Sequence, residues 1–166
     1  MGLFDKLFSN KNNASCITVL SPVNGTAIPL SEVDDPTFAE EMIGKGMAVI
    51  PSSGTIVAPV DGVVNMVFET KHALGITSKD GVELLIHVGL DTVSLKGEHY
   101  TAKVKTGDTI VAGDLLLEFD IPKIQEAGYP VVTPVVICNT DDYKTVTGIA
   151  SGEIKALEPL LSLTKG

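Results

Sequence analysis

Two of the three histidines in this 166-residue chain stand where they could work together. His72 and His87 flank an apolar stretch whose middle, Lys79-Asp80-Gly81, is a hairpin turn signal. A neutral imidazole is nucleophilic through the nitrogen that keeps its lone pair, while its other nitrogen can donate a hydrogen bond that fixes the tautomer. Two such rings meeting across a hairpin could carry a phosphoryl group, one taking it and the other donating to its oxygens. The pair could also bind zinc, but a closed zinc site needs four ligands, and only Glu83 and Asp91 share the His87 face. His99, in Gly97-Glu98-His99-Tyr100, reads as a solvent-exposed loop residue.

The hairpin register decides whether the rings meet. A loop from Ser78 to Gly81 pairs Thr77 with Val82 and sets His72 opposite His87, whereas a loop of Asp80-Gly81 makes them diagonal neighbours. Their Cβ atoms would be about 5 Å or about 7 Å apart. An odd loop without a compensating bulge would separate them onto opposite faces. In the second strand Val82, Leu84, Ile86, Val88 and Leu90 alternate toward a core, and Glu83, Leu85, His87, Gly89 and Asp91 alternate away from it. Gly89 beside His87 would leave room for a phosphoryl group or a partner's ring. Strand parity gives Thr70 the task of orienting His72, and makes Leu74, Ile76 and Leu85 an apolar rim that keeps water from a labile P–N bond.

The elements that must position these rings are mostly strands. Apolar runs at Ile17–Leu20, Thr26–Pro29, Met47–Pro51, Gly62–Glu69, Leu74–Thr77, Val82–Val88, Thr109–Ala112, Leu115–Asp120, Val135–Cys138 and Gly152–Ala156 are cut by Gly, Pro, Asn and Asp. This pattern predicts an all-β fold, an antiparallel sandwich or barrel, with one or two helical turns at Pro36–Ile43 and Pro122–Ala127. Pro22-Val23-Asn24-Gly25-Thr26 resembles Pro59-Val60-Asp61-Gly62-Val63, and Ala150-Ser151-Gly152-Glu153-Ile154 echoes both. Either a repeated β unit or common turn chemistry accounts for this. Residues 1–15 read as a mobile tail and 16–166 as a single domain. Leu3, Phe4, Leu7 and Phe8 would share one face of a helical turn, with a docked or mobile tail favoured over a membrane anchor.

Composition narrows the function. The net charge of -9 disfavours nucleic acid and anionic membranes and suits basic partners. No apolar run is long enough for a membrane span, and no signal peptide is apparent. Cys16 and Cys138 form no metal or disulfide pattern, and Cys138 reads as a small buried hydrophobe. A reducing, cytoplasmic location fits. There is no nucleophile elbow, Walker loop or HExxH motif, so a phosphoryl group would have to arrive from another protein.

The stretch Gly81-Val82-Glu83-Leu84-Leu85-Ile86-His87-Val88-Gly89-Leu90-Asp91-Thr92-Val93 resembles the signature of the glucose-class enzyme IIA domains of bacterial sugar phosphotransferase systems. Further similar segments are Phe38-Ala39-Glu40, Gly44-Lys45-Gly46, Ala58-Pro59-Val60-Asp61-Gly62, Glu69-Thr70-Lys71-His72-Ala73, Leu95-Lys96-Gly97-Glu98 and Thr133-Pro134-Val135-Val136; even Met1–Leu7 is similar to the stand-alone enteric form. The resemblance implies a β sandwich of the duplicated hybrid motif type, with both histidines in a shallow apolar depression. It implies that His87 takes phosphate on Nε2 from the phosphocarrier HPr and passes it to a IIB domain of a glucose-type permease, with His72 assisting and Thr70 holding His72. Asp35 and Asp91 would face a basic residue of HPr. Pro36, Thr37, Phe38, Met42, Ile43, Leu74, Leu85, Gly89 and Val93 would form the partner-binding rim. No cofactor is required. Some members of the family share zinc through the histidine pair or bind metabolic enzymes. A monomer is the default for a transient carrier. Two rival readings remain: a zinc peptidase built on a related β core, which needs a third ligand and an export signal, and a non-enzymatic binding module.

Overall fold

Short β-branched and leucine-rich runs broken by turn residues fold here into strands too short to stand alone, which bury their apolar faces by stacking. The computed structural model describes residues 16–165; the proposed mobile tail lies outside them. The strands are β1 (Cys16–Leu20), β2 (Gly25–Pro29), β3 (Lys45–Pro51), β4 (Thr55–Val57), β5 (Gly62–Val67), β6 (Ala73–Ser78), β7 (Glu83–His87), β8 (Tyr100–Ala102), β9 (Thr109–Ile110), β10 (Leu115–Phe119), β11 (Thr133–Ile137), β12 (Tyr143–Gly148), β13 (Gly152–Ile154) and β14 (Pro159–Lys165). Two short helices, α1 (Pro36–Ala39) and α2 (Ile121–Glu126), accompany them.

The large sheet runs in the order β13-β2-β3-β11-β7-β6-β5-β9, and the smaller sheets are β1-β14-β12 and β4-β10-β8. Neighbouring strands run antiparallel, as expected, and the sheets form a sandwich without closing into a barrel. Val19, Ile56, Leu116, Leu160 and Leu163 of the small sheets meet Val49, Ile76, Leu84, Ile86 and Val135 of the large one in the main core. The outer face of the large sheet is also covered at its centre. There Leu30, Val33 and Phe38 pack on Ala48, Val136 and Leu90, with Leu85 against them. Burial on both faces explains why β11 is apolar at successive positions instead of alternating.

The internal similarity is a real duplication in hydrogen bonding. The Asn24 side chain accepts from the Ala156 N–H at 2.7 Å, and the Asp61 side chain accepts from the Ala112 N–H at 2.8 Å. In the turns that supply those donors, the Asp114 carboxylate accepts from Val111 N–H and the Glu158 carboxylate from Lys155 N–H. Between donor and acceptor one turn places Gly113 at φ +97° and the other Leu157 at φ +75°. The second copy therefore holds a leucine where left-handed backbone favours glycine.

Several expectations need correction. Helix α1 stops at Ala39 rather than Ile43, because Glu41 turns to φ +58° two residues on. β4, β8, β12 and β14 were not anticipated. Cys138 lies just past β11 and is exposed, not buried. His99 is half-buried rather than freely exposed; it lines an open cleft of about 820 Å³ with Ser52, Tyr100, Glu118 and Lys123.

Candidate functional site: a histidine pair on the outer face of the large sheet

β7 presents its two faces as its alternation requires, with Leu84 and Ile86 in the main core and Leu85 and His87 outside. The pairing with β6 differs from both even-loop registers. Thr77 lies opposite Glu83 and Ala73 opposite His87, leaving five residues between the paired positions. Strand parity alone would then send His72 into the core with Leu74 and Ile76. It does not, because the strand ends at Ala73. The preceding turn takes Lys71 to φ +61°, and the His72 ring swings out toward His87. His72 keeps the hairpin closed through its carbonyl, which accepts from the Val88 N–H at 2.7 Å. The turn performs the compensation that an odd loop demands.

The two rings lie with centroids 4.8 Å apart and nearly perpendicular, at 84°. Phe38 leans over His87 with centroids 5.0 Å apart, and Phe68 meets His72 edge-on at 5.5 Å. Burial lowers the His72 pKa to about 4, and the neighbouring His87 pushes it the same way. Burial also lowers the His87 pKa, opposed by the Gly89 carbonyl and by the charges of Asp35 and Asp91. Both rings are therefore neutral at pH 7, as a nucleophile requires.

Hydrogen bonds orient each ring. The Gly89 carbonyl, which can only accept, lies 2.8 Å from His87 Nδ1, so Nδ1 carries the proton and Nε2 the lone pair. The Thr70 hydroxyl lies 2.7 Å from His72 Nδ1. When that hydroxyl donates, His72 presents Nε2–H as a donor.

A hollow of about 300 Å³ opens over His87, lined by Asp35, Thr37, Phe38, Ile43, Phe68, Leu85, Asp91 and Val93. Asp35 also caps α1, its carboxylate accepting from the Thr37 N–H at 3.0 Å. Val93 is exposed, and Met42 and Pro36 are exposed on the α1 segment outside the hollow's lining. Two rim assignments fail. Leu74 is 1% exposed and packs in the main core with Ile76, because the odd register turns both residues inward. Gly89 leaves no space either: its φ is +93°, and a Cβ there would meet the Thr92 methyl at 2.5 Å and the Pro130 carbonyl at 2.8 Å. Glycine is needed for the turn that returns its carbonyl to His87. Phe68 is the lining residue that sequence reasoning missed; the signal was an aromatic side chain two residues before Thr70. Among the described residues no three His, Cys, Asp or Glu gather as a metal site, so zinc at the histidine pair would need ligands from another molecule.

The comparisons agree with this geometry. Residues 17–143 match the family described as phosphoenolpyruvate-dependent sugar phosphotransferase system, EIIA 1. The glucose-specific EIIA component of Oceanobacillus iheyensis is 46% identical over 157 residues, covering 94% of this chain and 95% of that protein. The β-glucoside-specific EIIBCA component of Dickeya chrysanthemi is 49% identical over 146 residues, 88% of this chain, but the chain spans only 23% of that longer protein. Among solved structures, glucose permease IIA from Mycoplasma capricolum superposes with a TM-score of 0.83 at 38% identity, covering 89% of this chain and 95% of that one. The neutral imidazole pair and these likenesses lead to one conclusion: the chain belongs to the EIIA 1 family of the sugar phosphotransferase system, phosphoryl carriers that act through a phosphohistidine.

Proposed function

We propose that His87 is the phosphorylated residue, that it takes the group on Nε2 from phospho-HPr, and that it delivers it to the IIB domain of a glucose-type permease in the cytoplasm. The observation that carries this reading is the 2.8 Å contact of His87 Nδ1 with the Gly89 carbonyl, which leaves Nε2 the free lone pair at the hollow. In the transfer that lone pair attacks phosphorus, the donor's P–N bond breaks, and its electron pair returns to the donor's ring. The Nδ1 proton stays against the Gly89 carbonyl, so the phosphorylated ring keeps imidazolium character and remains a good leaving group for the next step. His72, held by Thr70, donates its Nε2–H to the phosphoryl oxygens, and its lowered pKa keeps that ring neutral at pH 7. Phe38, Phe68, Ile43, Leu85 and Val93 supply the apolar surround that slows hydrolysis once a partner covers it. Asp35 and Asp91 on the rim, with the net charge of -9, suit a basic partner surface such as HPr would bring. The proposal of a glucose-type permease rests on the likeness to the glucose-specific component, 46% identical over 94% of this chain.

The test is incubation with phosphoenolpyruvate, enzyme I and HPr. An acid-labile, base-stable label should appear and map to the peptide carrying His87; label on any other residue contradicts the assignment.

A further inference from the structure

The Gly89 carbonyl can hold the His87 proton only if the backbone between them is itself held. His87 is the last residue of β7, and beyond it the ladder no longer fixes the chain. Each peptide unit that follows is nevertheless pinned. The Gly89 N–H donates to the Val132 carbonyl at 3.0 Å, and the Leu90 N–H to the Pro130 carbonyl at 3.2 Å. The Val88 carbonyl accepts two hydroxyls, Thr92 Oγ1 at 2.8 Å and Tyr100 Oη at 2.8 Å. Both donors are buried, Thr92 fully and Tyr100 to 5% exposure. Neither lines the hollow over His87.

We infer that Thr92 and Tyr100 are positioning residues for phosphoryl transfer. By clamping the Val88 carbonyl from two elements, they fix the peptide plane preceding Gly89 and so aim the Gly89 carbonyl at His87 Nδ1. The Thr92 methyl adds a steric stop, since it stands 2.5 Å from where a Cβ on residue 89 would be. Loss of the hydroxyls frees the turn, weakens the hold on the Nδ1 proton, and lets the ring sample the tautomer with Nε2–H, which cannot attack through Nε2. Groups that orient metal-bound imidazoles through their other ring nitrogen change function by about 10- to 100-fold, and the clamp is expected to act on that scale.

This inference rests on His87 being the acceptor, and it is tested by a measurement that needs no phosphate. Ring ¹⁵N spectra of His87 at pH 7 should show the Nδ1–H tautomer in the unsubstituted protein. Tyr100→Phe should lower its population, and Tyr100→Phe with Thr92→Val should lower it further, with phosphoryl acceptance from phospho-HPr falling by about tenfold and then up to about 100-fold. Thr92→Ser, which keeps the hydroxyl, should restore the tautomer and the rate. Variants with a native amide spectrum, an unchanged tautomer and an unchanged rate would overturn the clamp. Independently of any substitution, the Thr92 and Tyr100 hydroxyl protons should exchange slowly and couple to the Val88 carbonyl carbon; freely exchanging hydroxyls would also overturn it. Label found away from His87, alongside a tautomer that still responds to Tyr100→Phe, would refute the carrier site while leaving the clamp in place.

Discussion

Among the described residues a histidine lines each of two hollows, and the proposed carrier residue sits in the smaller. The cleft beside His99 encloses about 820 Å³, against about 300 Å³ over His87. His99 is half-buried among Ser52, Thr101, Glu118, Asp120 and Lys123, and its ring meets no second imidazole. His87 is hemmed by Phe38 and Leu85, faces the His72 ring at 4.8 Å, and has one nitrogen committed to a carbonyl. On the proposed assignment, volume does not make a transfer site. Partial desolvation, which keeps the ring neutral, and a fixed tautomer, which points the lone pair, do.

The comparison breaks most simply by removing each histidine in turn. His87→Ala should abolish phosphoryl labelling, a loss of at least about a thousandfold, whereas His99→Ala should leave both labelling and sugar phosphorylation within about twofold. Equal losses would erase the distinction between the hollows. His72→Gln should still accept label from phospho-HPr but pass it on about 100- to 1000-fold more slowly, as expected for removal of a donor to the transferring group. Single-turnover chase experiments separate the two steps.

A third test uses acid. The His72 pKa is about 4 in the fold and near 6.5 when unfolded. Between those values the unfolded chain binds a proton that the native chain refuses, so His72 makes stability fall as pH drops through that window. Denaturation midpoints measured from pH 7 to pH 4 should therefore decline less steeply in His72→Gln than in the unsubstituted protein. The difference in slope is at most about 1.4 kcal/mol per pH unit. The smallest effect lies far from the site, in the duplicated turns. Leu157→Gly should be neutral or stabilise by up to about 1 kcal/mol, because it relieves a leucine at positive φ. Gly113→Ala in the matching turn should cost about 1 kcal/mol in thermal unfolding.

Much of this was legible in the sequence, for identifiable reasons. The strict alternation from Val82 to Val88 announced β7 and the outward face of His87, since period-two patterning survives any error in strand ends. The hairpin register was not legible. Ser78 hydroxyl bonds to the Asp80 and Val82 N–H groups build a five-residue connection that Lys79-Asp80-Gly81 does not reveal. The histidines meet despite that odd register because Lys71 adopts φ +61°, a conformation that lysine identity does not signal. Leu74 was misplaced for the same reason. Gly89 was read as leaving space, whereas the structure uses it for a left-handed turn. β14 escaped notice because Pro159-Leu160-Leu161-Ser162-Leu163 lacks β-branched residues, though its leucines are fully buried. β12 escaped because its residues lie largely at the surface.

The most direct measurement is the ring ¹⁵N spectrum of the protein before and after phosphorylation by phospho-HPr. A phosphoryl group bonded to His87 Nε2, with Nδ1 still protonated and hydrogen-bonded, is the predicted result. Phosphorus on Nδ1 of His87, or on either nitrogen of His72, would contradict it.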